Sequence, residues 1–146
     1  MSYTAEQLSD LEEIRRLSAV YARGLDRFDM EEVMQIFAVD SVFDATPVGM
    51  EEYKGVDAIR DFFVHNQEVM NDQMHLFGNF VIDLESPTRA RGTSYLFQDG
   101  HLKSGAQVTT SCLNEDEYEK RDGQWYVVRR ACVGLMPMVG NDSYQE

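Results

Sequence analysis

The sequence predicts an α+β fold, with N-terminal helices lying on one face of a mainly antiparallel sheet. Three observations carry that prediction. Apolar residues recur at spacings of three and four through the first third of the chain, and from about residue 72 they recur at a spacing of two. Between two later runs of the second kind stands Asp122-Gly123. That pair is a hairpin signal, because a type I′ turn needs positive φ at both central residues. Helices first and a strand meander afterwards put the helices together on one side of the sheet.

Leu11, Ile14, Leu17, Tyr21 and Leu25 form one apolar stripe on a helix from about residue 5 to 26, with Glu12, Glu13, Arg15, Arg16 and Arg23 on the solvated side. Asp29 followed by Glu32 fits a capping box, opening a short second helix that buries Met30, Val33, Met34 and Phe37. SVFDAT and the segment at Glu52 and Tyr53 read as short strands. A third helix after Gly55 buries Val56, Ile59, Phe62 and Phe63. In the first long strand Met74, Leu76, Phe80, Ile82 and Leu84 alternate with His75, Phe77, Asn79, Val81 and Asp83. Ser86-Pro87 ends it. A second strand is expected from about Arg89 to Gln98, where Asp99-Gly100 turns the chain. The third spans about Ala106 to Arg121, and the fourth runs from Gln124 to about Leu135.

The last hairpin predicts a register. If Arg121 faces Gln124, then Cys112 faces Val133 and Cys132 faces Leu113, which puts the two thiols on opposite faces and unable to bond. The same register sets Asp116 against Arg129 and Glu115 against Arg130 as cross-strand ion pairs. A β-bulge would shift it.

A chain of 146 residues suits one domain over 1–146. It buries roughly 68–70% of its unfolded surface without a metal or disulfide staple. A hydrophobic fraction of 43% and an aromatic fraction of 11% are globular values. A net charge of −13 argues against nucleic acid and anionic membrane as partners. The opening MSYTAEQLSDLEE has neither the basic nor the apolar region of a signal peptide, and no run reaches the ~18 apolar residues of a membrane span. The expected location is cytoplasmic. Two cysteines match neither a disulfide scaffold nor a zinc spacing.

His65, His75 and His101 are scattered over a helix, a strand and a turn, without ligand-spaced partners, so no metal site is expected. No glycine-rich phosphate loop and no G-x-S-x-G elbow is present, and no cofactor is expected. Acid–base chemistry by side chains remains. His75 lies beside Phe77 on the strand face that looks toward the helices, where a histidine is either a hydrogen-bonded core residue or a base lining a cavity. His65 and His101 read as surface residues. Asp26 ends the first helix, where a carboxylate meets the negative end of the macrodipole. Asp29 already caps the next helix, so Asp26 is either a solvated helix-end carboxylate or has a tertiary partner. Tyr21 reads as core, and Arg130 and Asn114 read most simply as sheet-surface residues.

GLDRFDMEEVMQIFAVDSVFD, then YKGVDAIRDFF, a strand beginning MH, and EYEKRDGQWYVVRR resemble the SnoaL-like group of the NTF2-like superfamily over about residues 8 to 135. That group includes polyketide cyclases, scytalone dehydratase, hexachlorocyclohexane dehydrochlorinase and bile-acid dehydratase, with ketosteroid isomerase more distant. The resemblance implies a cone-shaped α+β barrel and a homodimer formed through the outer sheet face. It also implies a catalytic Asp–His pair, whose aspartate in a context like YARGLD falls on Asp26 and whose histidine in a context like MH falls on His75. A functional tyrosine of the bile-acid enzyme matches Tyr21. Where that enzyme has an acidic residue this chain carries Gln98, which can hold an oxygen but cannot transfer a proton. The second histidine of scytalone dehydratase is not clearly matched by His101.

On this reading Asp26 fixes the tautomer of His75, whose free ring nitrogen takes a proton from carbon. Tyr21, Gln98, Asn114 or Arg130 holds an oxygen as charge develops, and Phe77 helps line a site for a small apolar, cyclic substrate. The expected activity is that of a cofactor-free lyase or isomerase of the dehydratase or cyclase type. Two alternatives share the scaffold: a small-molecule binding protein and an assembly subunit. The tail GLMPMVG is a candidate cover for the pocket mouth.

Overall fold

A computed structural model describes residues 2–137 of the chain. Helix α1 (Ala5–Asp26) opens on a reciprocal cap in which Thr4 Oγ1 accepts from Gln7 N at 3.1 Å and Gln7 Oε1 accepts from Thr4 N at 2.9 Å. Its predicted stripe is buried at Leu11, Ile14, Tyr21 and Leu25. The helix stops because Phe28 takes a left-handed φ of 57°, which returns Phe28 N to Leu25 O and Asp29 N to Gly24 O. Helix α2 (Met30–Met34) then packs so close that a Cβ on Gly24 would lie 2.7 Å from Val33 N. Asp29 caps α2 through Glu32 N at 3.2 Å, but the reciprocal half of the expected capping box is not made, because the Glu32 carboxylate takes the Arg23 guanidinium instead. Phe37, expected on that helix, begins β1 (Phe37–Asp44) and is buried there. A single turn at Thr46–Val48, β2 (Glu52–Lys54) and α3 (Val56–Val69) follow.

Four long strands come next: β3 (Met70–Ser86), β4 (Arg89–Leu102), β5 (Gln107–Arg121) and β6 (Gln124–Gly134). The sheet order is β2-β1-β6-β5-β4-β3, antiparallel except for the β1–β6 pair, and three helices pack on this curved sheet. The main core joins α1, α3 and the inner face of the strands around Ile14, Tyr21, Phe43, Phe63, Tyr118 and Trp125.

Two bulges correct the expected alternation. In β3 the pairing with β4 slips between Gly78 and Val81, where Asn79 has a φ of 51°. The inward set is therefore His75 and Phe77 before the bulge and Phe80, Ile82 and Leu84 after it, whereas Met74 and Leu76 point outward and are exposed. In β6 the register predicted from Arg121 and Gln124 holds to the Tyr118–Val127 pair and then slips by one residue at Val128. Beyond it Glu117 faces Arg129, Asp116 faces Arg130 and Asn114 faces Cys132, so the expected Asp116–Arg129 and Glu115–Arg130 pairs do not form. Cys112 and Cys132 consequently share the inner face rather than lying on opposite faces. Arg130 and Asn114 become fully buried instead of lying on the sheet surface.

Asp99-Gly100 is not a turn. β4 continues to Leu102, and Gly100 is required because a Cβ there would lie 2.4 Å from Asp72 O on β3. His101 is thus on a strand, with Nδ1 2.9 Å from Asp72 Oδ1. Asp122 and Gly123 do form the hairpin turn, with φ of 51° and 78°. Of the tail segment GLMPMVG, Leu135 and Met136 are exposed, and 138–140 lie outside the described residues.

Candidate active site

Asp26 and His75 meet as the sequence suggested. The carboxylate Oδ1 lies 2.8 Å from His75 Nδ1, and Oδ2 accepts the His75 main-chain N–H at 3.1 Å. The second bond ties the carboxylate to the strand that carries the imidazole. Among the described residues nothing hydrogen-bonds His75 Nε2. The pair is shielded, with the histidine side chain 9% exposed and the aspartate 26%.

One residue that holds this geometry escaped the sequence reading. Gln73, two residues before His75 and on the same face, donates Nε2 to Leu25 O at 2.7 Å and to Asn66 Oδ1 at 3.1 Å. It ties β3 to the last turn of α1 and to α3 at once, fixing the backbone that carries Asp26 relative to the one that carries His75. The only signal for it was the two-residue spacing from His75.

The helices and the inner sheet face enclose a cavity of about 750 Å³ counted to its open mouth. His75, Tyr21, Phe77, Gln98, Asn114 and Arg130 all line it, so every residue singled out from the sequence except Asp26 reaches the same space. Asp26 stands behind His75, in a groove on the outer side of the pair. Gln98 sits on β4 directly opposite His75. The remaining walls are largely apolar and include Phe43, Phe62 and Phe63, with Tyr21 edge-on to Phe63 at 5.5 Å and to Phe77 at 5.9 Å.

Arg130 is the most buried charge in the site, and its neighbours explain how it survives there. Nε and Nη2 donate to the two Asp116 oxygens at 2.9 and 2.8 Å, Nη2 also donates to Ser18 Oγ at 2.8 Å, and Tyr118 donates its hydroxyl to Asp116 at 2.8 Å. The guanidinium carbon lies 5.0 Å from the centre of the Tyr21 ring and 5.2 Å from that of Phe77. Burial works against its charge, but the Asp116 carboxylate outweighs that and raises the Arg130 pKa. Burial also pushes the Tyr118 phenol well up, and Asp116 adds to it. Arg130 Nη1 and Asn114 Nδ2 are left without a partner among the described residues. Both residues line the same cavity, and a buried donor left unpaired costs on the order of 1–3 kcal/mol. Among the described residues no group of three or more His, Cys, Asp or Glu side chains could hold a metal ion, and no helix is long and apolar enough to cross a membrane.

Comparison with known proteins converges on one scaffold. A family model described as a SnoaL-like domain matches residues 6–131. A Novosphingobium aromaticivorans protein provisionally named an aromatic ring hydroxylase is 26% identical, with a TM-score of 0.89 over 95% of this chain and 98% of its own. A second protein from the same species, provisionally named a scytalone dehydratase, is 24% identical, with a TM-score of 0.85 over 92% and 89% of the two chains. The hexachlorocyclohexane dehydrochlorinase LinA-type3 of Novosphingobium barchaimii is 20% identical, with a TM-score of 0.80 over 90% of each chain. The latter two are likenesses of fold.

Proposed function

This chain belongs to the SnoaL-like family of NTF2-like folds, and from that membership we propose that it is a cofactor-free lyase or isomerase in which Asp26 and His75 abstract a proton from a small apolar, cyclic substrate. The observation that carries the reading is the 2.8 Å contact between His75 Nδ1 and Asp26 at the edge of an apolar cavity. Asp26 fixes the tautomer, so Nε2 is the basic nitrogen that faces the substrate. As Nε2 takes a proton from carbon, the imidazolium that forms is stabilised by the adjacent carboxylate, as in other His–Asp pairs.

The electrons of the broken C–H bond need an acceptor. If the substrate carries a carbonyl, they move onto its oxygen, and Arg130 Nη1 and Asn114 Nδ2 are the donors free to receive that charge. If a leaving group stands on the next carbon, a C=C bond forms, the C–X bond breaks, and His75 returns its proton to the departing group. Tyr21 shapes the wall beside His75, and Gln98, opposite His75, holds an oxygen without transferring a proton. Two of the similar structures carry the names dehydratase and dehydrochlorinase, which denote loss of water and of hydrogen chloride, and both outcomes fit this scheme.

The test is turnover of a panel of cyclic β-hydroxy and β-halo ketones by the wild type and by His75→Ala. Activity that disappears in the variant supports the proposal, and turnover that survives intact eliminates it. Binding without turnover is a second reading, favoured by the orphaned donors, which recognise an oxygen whether or not a reaction follows. A tightly held ligand recovered unchanged from the wild type would select it.

The homodimer belongs to the same proposal. Met74 and Leu76 of β3 and Tyr95 and Phe97 of β4 are 41–64% exposed on the outer sheet face, a patch that a second copy of the chain would cover.

A further inference from the structure

The cavity holds a second reactive feature that the Asp26–His75 chemistry does not use. Because of the Val128 bulge, Cys112 on β5 faces Gly134 and Cys132 on β6 faces Asn114, so the two thiols stand diagonally across one ladder on the same inner face. Both side chains are buried in the fold yet line the cavity, and both are free thiols. Gly134, directly opposite Cys112, places no side chain between them. Cys132 Sγ lies 3.3 Å from Asn114 Oδ1, to which its S–H donates.

The two sulfurs are unequal. Interaction with the Cys132 thiol holds the Cys112 thiol below its ordinary value against the opposing effect of burial, and the Arg130 guanidinium adds to the lowering. Cys132 is pushed well above its ordinary value, first by Cys112 and then by burial. A thiol lowered in pKa beside a neighbour raised in pKa fits the division between an attacking and a resolving cysteine.

We propose that Cys112 and Cys132 are a redox-active dithiol, which hydroperoxides entering the cavity oxidise to a cross-strand disulfide that reshapes the ligand site. The Cys112 thiolate attacks a peroxide oxygen; its S–O bond forms, the O–O bond breaks, and hydroxide leaves and takes up the proton that Cys112 lost. Cys132 sulfur then displaces the hydroxyl of the sulfenic acid, which departs as water with the Cys132 proton. Two thiols and one hydrogen peroxide give one disulfide and two waters. Diagonal neighbours lie about 7–8 Å apart, whereas disulfide Cα atoms usually stand about 5.5–6 Å apart, so closure shifts the backbones of β5 and β6 along each other beside the bulge. It also removes the S–H that Asn114 Oδ1 accepts, releasing the amide next to Arg130. Nothing in this step depends on the reaction proposed for His75.

The experiment treats the purified full chain with hydrogen peroxide and maps its peptides by mass spectrometry. The expected product is an intact monomer lighter by two hydrogens, with Cys112 joined to Cys132 and restored by dithiothreitol. The oxidised form should bind the apolar fluorophore anilinonaphthalene sulfonate several-fold more weakly than the reduced form. Cys132→Ser should stop at a sulfenic acid on Cys112 that dimedone traps, and Cys112→Ser should leave Cys132 unmodified. Thiols that stay inert, a bond joining two chains, or unchanged fluorophore binding after oxidation would each overturn the proposal. The wild-type measurements decide the matter even if a serine variant fails to fold.

Discussion

Asp26 grips His75 at two points, through the ring Nδ1 at 2.8 Å and through the main-chain N–H at 3.1 Å. Replacing Asp26 by Asn keeps the shape but leaves one acceptor oxygen for two donors, and removes the charge that stabilises imidazolium. In the proposed reaction Asp26→Asn should lower kcat by about 10²–10⁴-fold with little change in thermal midpoint. Steady-state kinetics beside a melting curve separates the two effects, and an unchanged kcat would dismiss the pair as catalytic.

Gln73 should matter through position alone. Gln73→Ala removes the bonds from β3 to Leu25 O and Asn66 while leaving Asp26 and His75 in place. A loss of roughly 1–3 kcal/mol of stability follows from the two hydrogen bonds removed, together with a reduced kcat. If the melting curve moves and the kinetics do not, Gln73 is merely structural.

The Arg130–Asp116 pair is wholly buried. Asp116→Ala strands the guanidinium and should cost about 3–5 kcal/mol by urea denaturation. The double change Asp116→Ala with Arg130→Met should be milder than Asp116→Ala alone, because no charge is then left unpaired. A double variant weaker than both singles would contradict that account.

Gly100→Ala tests the close approach of β3 and β4. Since its Cβ would lie 2.4 Å from Asp72 O and 2.9 Å from Gln73 Cα, the strands must part, at a cost of about 1–3 kcal/mol. A neutral substitution by chemical denaturation would contradict the close approach of the two strands as the reason for glycine here.

Acid should weaken the fold over a defined range. The Thr46 hydroxyl and N–H, with Arg129, hold the Asp44 carboxyl below 3.8, and the Gln107 and Thr109 side chains do the same for Asp99. These groups bind protons more readily in the unfolded chain, so their stabilisation is complete above the unfolded value of about 3.9 and is lost as pH falls through the lower folded values. Melting curves should hardly shift on account of these groups between pH 7 and 5 and should drop below about pH 4. Asp44→Asn should flatten that drop.

Much of this protein was legible locally. The stripe through Leu11, Ile14, Tyr21 and Leu25 specifies α1, because burying a helix needs apolar side chains one turn apart. Asp122-Gly123 specifies its hairpin, because few other residues take positive φ. Asp26 and His75 stood out as a carboxylate at an unfavourable helix end and a histidine on an inward face, although their contact spans 49 positions of sequence. What only the tertiary structure decided were the two bulges. Strand side chains alternate with a period of two, so one extra residue at Asn79 or Val128 reverses every face beyond it, and that extra residue is accommodated by pairing with distant strands. The slip at Val128 carried Arg130 and Cys132 from the outer surface into the cavity, where one leaves a guanidinium donor unpaired and the other a thiol beside Cys112. Sequence thus chose the strands and the candidate base. The three-dimensional register chose what the base faces.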